Sequence, residues 1–251
     1  MQPRIARQSA YLFAALFLSA SAAFPVDRPA GADTVADAPR VIAVFGDSIA
    51  TGYCQGLKRQ LTDLPEYSVK CWTKPSSGLT RDDFFDWDAE LQRRLASIHV
   101  DYAVVSMGGN DAQDMTLPDR ILDFSGPEWA EEYGRRVAGT VERLRAAGVE
   151  VFWIGMPIAR SEAFSDKLRR LNRIYADRAL AGGAAFIPIW DFTAGEAGSY
   201  SRTLPDADGR MRVARQKDGI HFNGPGEQIV TCYILKQMAP ATGIPDTALR
   251  C

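Results

Sequence analysis

The segment Val41-Ile42-Ala43-Val44-Phe45-Gly46-Asp47-Ser48 most constrains what this chain can become. Four of its first five residues are β-branched or aromatic, which suits a strand buried on both faces. Gly46-Asp47-Ser48 then breaks the strand, and a run compatible with a helix begins at Ile49. A serine at such a junction projects from the carboxyl edge of a sheet, beside a helix N-terminus whose dipole and free N–H groups favour negative charge. Taken alone, the tripeptide reads equally as a turn with Asp47 or Ser48 as the N-cap.

The rest of the chain repeats the same alternation. Ile49, Tyr53, Leu57 and Leu61 recur at helical spacing, and Pro65 closes that unit. A second strand is expected at 67–72 and a polar-faced helix at 81–97. A third strand at 102–107 runs straight into Gly108-Gly109-Asn110-Asp111. Residues 112–127 carry Pro118, Gly126 and Pro127 without periodicity and read as an insertion, either a lid or a surface loop. An amphipathic helix at 128–147, a strand at 149–154, a helix at 162–181 and a strand at 185–190 follow. Residues 199–215 suggest a hairpin turning at Pro205-Asp206-Ala207-Asp208-Gly209, before a last helix at 225–238. Strands alternating with long helices give an α/β fold whose parallel sheet is covered on both faces. In such sheets ligands lie beyond the carboxyl ends of the strands. Ser48, Gly78, Asn110 and the loop 218–221 all fall at that edge.

The N-terminus has a different character. Arg4 and Arg7 precede an apolar run from Ala10 to Phe24, followed by small residues up to Ala32. This is the pattern of a secretory signal, and the run is short against the ~20 apolar residues of a membrane span. The expected organisation is a signal at 1–32, a linker at 33–40 and one catalytic-sized domain at 41–251. The expected location is periplasmic or secreted, with no stable membrane insertion after cleavage. The cysteines agree. Cys54, Cys71, Cys232 and Cys251 all lie beyond the signal, and an even count in an oxidising compartment points to two disulfides. Of three possible pairings, the local ones, Cys54–Cys71 and Cys232–Cys251, are favoured. A formal charge of −2 and the lack of a basic stripe argue against a nucleic-acid partner.

A serine hydroxyl needs a base to become a nucleophile, and the chain has only two histidines. His99 precedes a strand, at the end away from the expected site. His221 lies at the right edge, with Asp218 three residues before it, a spacing that lets a carboxylate fix the imidazole tautomer. A capped turn with an exposed histidine is the plainer alternative. Candidate donors to a tetrahedral oxyanion are the backbone N–H groups of Ser48 and Gly78 and the side-chain amide of Asn110. Gly78 reads otherwise as a loop glycine, and Asn110 or Asp111 as a cap.

Gly46-Asp47-Ser48, the Ser77-Gly78 loop, Gly108-Gly109-Asn110-Asp111 and Asp218-x-x-His221 together resemble the four sequence blocks of the SGNH (GDSL-type) hydrolases. The resemblance spans about residues 41–240, and its glycine block is the least specific. It implies a three-layer α/β/α sandwich with a five-stranded parallel sheet, flavodoxin-like in topology. It also implies a Ser–His–Asp esterase mechanism, with Ser48 as nucleophile, His221 as base and Asp218 as its orienter. Ser48, Gly78 and Asn110 would then form the oxyanion hole. Ile49 stands where the family usually has leucine, a conservative change.

The resemblance and the signal together lead us to expect an exported esterase that removes acyl groups, acetyl first among them, from a carbohydrate or peptidoglycan, its substrate a small-molecule or glycan ester, without cofactor or metal. An acyltransferase using the same residues is an alternative, with an envelope polysaccharide or a partner acyltransferase as the other participant. A non-catalytic envelope-binding module is a third. A metal site built from Asp47, Asp111 and His221 has too few nitrogen ligands for a usual catalytic zinc. Phe84, Phe85 and Trp87 either line a pocket or pack on a helical face.

Overall fold

The computed structural model describes residues 38–251. The signal and most of the linker expected from the sequence lie outside them. Strand β1 (Arg40–Gly46) leads into helix α1 (Ser48–Gln60), and β2 (Tyr67–Thr73) follows. Next come α2 (Trp87–Leu95), β3 (Tyr102–Ser106) and two short strands, β4 (Met115–Thr116) and β5 (Ile121–Leu122). Helix α3 (Pro127–Ala146), β6 (Glu150–Ile154), α4 (Glu162–Ala181) and β7 (Ala185–Ile187) complete the sheet-forming part. A hairpin of β8 (Thr203–Pro205) and β9 (Met211–Val213) precedes α5 (Gly224–Thr242).

The five long strands pair in parallel in the order β2-β1-β3-β6-β7. Ile42, Ala43, Val44 and Phe45 of β1 are all fully buried, so both faces of the sheet are covered. On one side α1 packs against α5, and α3 packs against both α2 and α4. The chain direction across the sheet reverses between β1 and β3, and the crevice at such a reversal is the usual place for a ligand. Gly46 makes the approach possible. A Cβ there would sit 1.8 Å from the carbonyl oxygen of Ser106, and its φ of +146° suits only glycine.

Four expectations are corrected in detail. The helix placed at 81–97 begins only at Trp87. Residues 81–86 form turns, in which Asp83 binds Arg81 and Asp86 caps α2 by accepting from Ala89 N at 3.0 Å. Carboxylates so close to one another serve caps better than a helix interior. Trp87 is core, its Nε1 donating to Ser77 Oγ at 3.0 Å, whereas Phe84 is exposed. The strand expected to reach 190 stops at Ile187, because Pro188 cannot donate to the ladder. Helix α5 runs four residues past the expected end to Thr242, where Gly243 at φ +74° terminates it. The insertion at 112–127 is not a plain loop. It holds the β4–β5 pair, buries Met115 and Leu122, and is fastened by Trp129 Nε1 donating to Gln113 O at 2.9 Å.

Two disulfides are present, Cys54–Cys71 and Cys232–Cys251, with Cα separations of 5.7 and 5.6 Å. The first joins α1 to the edge strand β2, and the second joins α5 to residue 251. Among the described residues no helix is long and apolar enough to cross a membrane.

Candidate active site

Asp47 is the brace on which the serine stands. It is fully buried and caps α1, its Oδ1 accepting from Ile49 N at 2.9 Å. Its Oδ2 accepts from Gly109 N at 2.9 Å and Gly108 N at 3.2 Å. One carboxylate thus ties the start of α1 to the loop after β3. Burial pushes its pKa up to about 6, against the lowering effect of the N–H groups it accepts from. Ser48 follows as the first residue of α1, where the helix N–H groups face the crevice.

The chain returns to this point in the loop between β9 and α5. Asp218 Oδ1 accepts from the backbone N–H of Ile220 at 2.9 Å and of His221 at 3.0 Å. Its Oδ2 lies 2.7 Å from His221 Nδ1, and His221 Nε2 lies 2.7 Å from Ser48 Oγ. Burial raises the Asp218 carboxyl pKa, but the donors from Ile220 and His221 outweigh it and hold the group below the usual carboxylate range. An ionised Asp218 fixes the proton on Nδ1, which leaves Nε2 free to accept the serine proton. Ser48, Asp218 and His221 line one side of a cleft of about 420 Å³, shared with Gln55, Gln216 and Glu227.

The loop that presents His221 has its own anchor, which the sequence did not disclose. Arg215 is buried, and its guanidinium donates to Ile220 O at 2.9 Å and Ile158 O at 3.0 Å while lying 4.0 Å over the Phe222 ring. Among the described residues no carboxylate forms a salt bridge with it, and burial lowers its pKa to about 10 against the raising effects of Tyr53, Tyr200 and Asp218. A lone arginine between a hairpin and a loop carries no pattern from which this could be read.

Gly78 and Asn110 come from the two other loops at this edge. Asn110 Nδ2 donates to Ser77 O at 3.0 Å, which sets it beside Gly78, while Gly109 is bonded to Asp47 next to the serine. Asn110 thus makes one cross-link itself, and Ser48 and Gly78 each stand one residue from a cross-linked neighbour, Asp47 and Ser77. Asp111 is engaged by protein groups. It is fully buried, accepting from Thr80 N and Thr80 Oγ1, both at 2.9 Å, and contacting the Tyr133 hydroxyl at 2.7 Å. No group of three or more potential metal ligands occurs among the described residues. His99 is exposed beside Asp101, away from these groups.

This fold is that of the SGNH hydrolases. A catalytic mutant of an acetylxylan esterase from Geobacillus stearothermophilus superposes with a TM-score of 0.55 at 14% identity, over 79% of this chain and 94% of that one. A GDSL-like lipase from Bacteroides thetaiotaomicron VPI-5482 gives 0.56 at 13% identity, over 80% and 89%. A member of the lipolytic protein G-D-S-L family from Veillonella parvula DSM 2008 gives 0.56 at 12% identity, over 82% and 100%. At such identities the likeness is one of architecture. The family described as "Protein of unknown function (DUF459)", an SGNH-like family, matches residues 41–237, and the chain belongs to it. No curated protein matches the sequence.

Proposed function

We propose that the protein is an exported serine esterase that removes acyl groups, acetyl first among them, from hydroxyls of a carbohydrate or peptidoglycan. The observation that carries this reading is the unbroken line of contacts from Asp218 through His221 to Ser48 Oγ, each 2.7 Å, at the mouth of an open cleft. Ser48 Oγ attacks the ester carbonyl carbon as His221 Nε2 takes its proton. The negative charge that develops on the carbonyl oxygen is met by the N–H groups of Ser48 and Gly78 and by the Asn110 amide, one such donor being worth about 3 kcal/mol. The C–O bond to the alcohol then breaks, and His221 returns the proton to the departing oxygen. Water, deprotonated by the same nitrogen, attacks the acyl-serine and releases the acid.

Thr51, Gln55, Gln216 and Glu227 stand among the walls of the cleft beside Ser48, where they can hydrogen-bond a hydroxyl-rich alcohol portion. The two disulfides support an oxidising compartment outside the cytosol. The test uses p-nitrophenyl acetate and acetylated xylan or peptidoglycan with wild type and Ser48→Ala. Hydrolysis by the wild type, and its fall on the order of 10⁴-fold or more in the variant at unchanged stability, is the expected result. Equal rates in the two proteins would remove Ser48 from the reaction.

A further inference from the structure

Behind the two loops that carry Gly78 and Asn110 runs a buried row of oxygen atoms. Asp111 Oδ2 lies 2.7 Å from Tyr133 Oη, Tyr133 Oη lies 2.8 Å from Tyr175 Oη, and Tyr175 Oη lies 2.8 Å from the carbonyl oxygen of Met107. Asp111, Tyr133 and Tyr175 are all fully buried. Each of these three contacts requires one proton between its two oxygens. The Met107 carbonyl supplies none, and each phenol supplies one. Two protons cannot fill three links.

We infer that Asp111 is a neutral carboxylic acid in the folded protein, a positioning residue that donates its proton to Tyr133. Tyr133 then donates to Tyr175, and Tyr175 to Met107 O, so that every link is filled and all protons point one way. The other carboxyl oxygen fits the same state. Asp111 Oδ1 accepts twice, from Thr80 N and from Thr80 Oγ1, as a carbonyl oxygen with two lone pairs does. An ionised Asp111 would instead leave two oxygens facing each other at hydrogen-bond distance with no proton, in a place water does not reach.

The charges around it agree. Asp47, on another loop, is itself a buried acid and offers Asp111 no balancing positive charge. The cations on neighbouring segments serve other atoms: Arg136 donates to Leu79 O and Lys167 to Ala112 O. Burial likewise raises the Asp111 pKa, against the lowering effect of the donors from Thr80 and the Leu79 backbone. A neutral acid also has a use here. Asp111 Oδ1 lies 2.0 Å from where a Cβ on Gly78 would be, so a full negative charge would sit directly behind a donor meant for an oxyanion. This use rests on the reading of Gly78 and Asn110 given above, whereas the proton count does not.

The experiment is difference infrared spectroscopy of the intact protein at about pH 8, above the Asp47 transition, comparing wild type with Asp111→Asn and with Tyr133→Phe. The expected result is the loss of one un-ionised carboxyl C=O band in Asp111→Asn and its displacement in Tyr133→Phe, with a shift in D₂O. Loss or displacement of carboxylate bands in place of that band would overturn the proposal. If Asp111→Asn does not fold, the Tyr133→Phe difference spectrum decides between the same two outcomes. Neither readout depends on esterase activity, so an inactive protein showing the C=O band would fail the functional reading and leave this one standing.

Discussion

Gly78 and Asp111 are packed so closely that a single methyl group on the glycine would fall 2.0 Å from the aspartate Oδ1 and 2.6 Å from its Cγ. Neither partner has room to retreat, since Asp111 is held from Thr80 on one side and Tyr133 on the other. Gly78→Ala should therefore push the loop outward, costing about 1–3 kcal/mol of stability as overpacking does. It should also lower kcat at least tenfold while KM changes less, because the displaced N–H is one of the donors proposed for the oxyanion. Denaturant unfolding and steady-state kinetics on a small acetyl ester check both parts.

Asp218 accepts two backbone N–H groups as well as the imidazole, so it shapes its own loop while it orients His221. Asp218→Asn keeps the size of the side chain but offers Nδ1 an uncharged partner and permits the other tautomer. A fall in kcat on the order of 10³–10⁴-fold is expected, with the fold retained. Activity near the wild-type level, by the same kinetic assay, would deny Asp218 this role.

These two positions illustrate what the sequence disclosed. The strand-then-helix rhythm fixed the sheet, and short spacing put Asp218 and His221 within one turn, so both could be read locally. The pairing of cysteines at separations of 17 and 19 residues was equally local. What stayed hidden depends on contacts between distant segments. Arg215 meets Ile158 across 57 residues, and Tyr133 meets Tyr175 across 42, and neither pair bears any mark in the chain. The misplaced start of α2 has a different origin. Residues 81–86 run without a break into a helical stretch, but their three aspartates bind Arg136, Arg81 and the Ala89 N–H and favour turns.

Asp47 ties pH to stability, with a sign opposite to that of a salt-bridged carboxylate. Its folded-state pKa of about 6 stands above the unfolded value of about 3.9, so between these limits the folded chain binds more protons. Its contribution is fully present below about pH 4 and lost as pH rises through 6. The loss amounts to as much as about 3 kcal/mol, and less where Asp111 carries no charge. Unfolding free energies across this range should show that fall in wild type and lack it in Asp47→Asn. The variant should also be less stable near neutrality, since its amide would face the N–H groups of Gly108 and Gly109.

Arg215 is the internal strut of the histidine loop. Arg215→Met would leave the carbonyls of Ile220 and Ile158 without their donors, for a net cost of about 2–3 kcal/mol once relief of the buried charge is counted. The loop should loosen at His221, and kcat should drop at least tenfold. Arg215→Lys, which can serve only one of the two carbonyls, should fall between, as thermal unfolding and kinetics on the pair would reveal.

The Cys54–Cys71 bond pins to the sheet's outermost strand the very helix whose first residue is Ser48. In a chain whose thiols were kept reduced, that helix would hold its seat through packing and hydrogen bonds, such as that of Thr51 to Thr73. The reacting hydroxyl would share whatever looseness resulted. Formation of that bond and the seating of the proposed nucleophile are in this way joined by one covalent link, made less than two helical turns from Ser48.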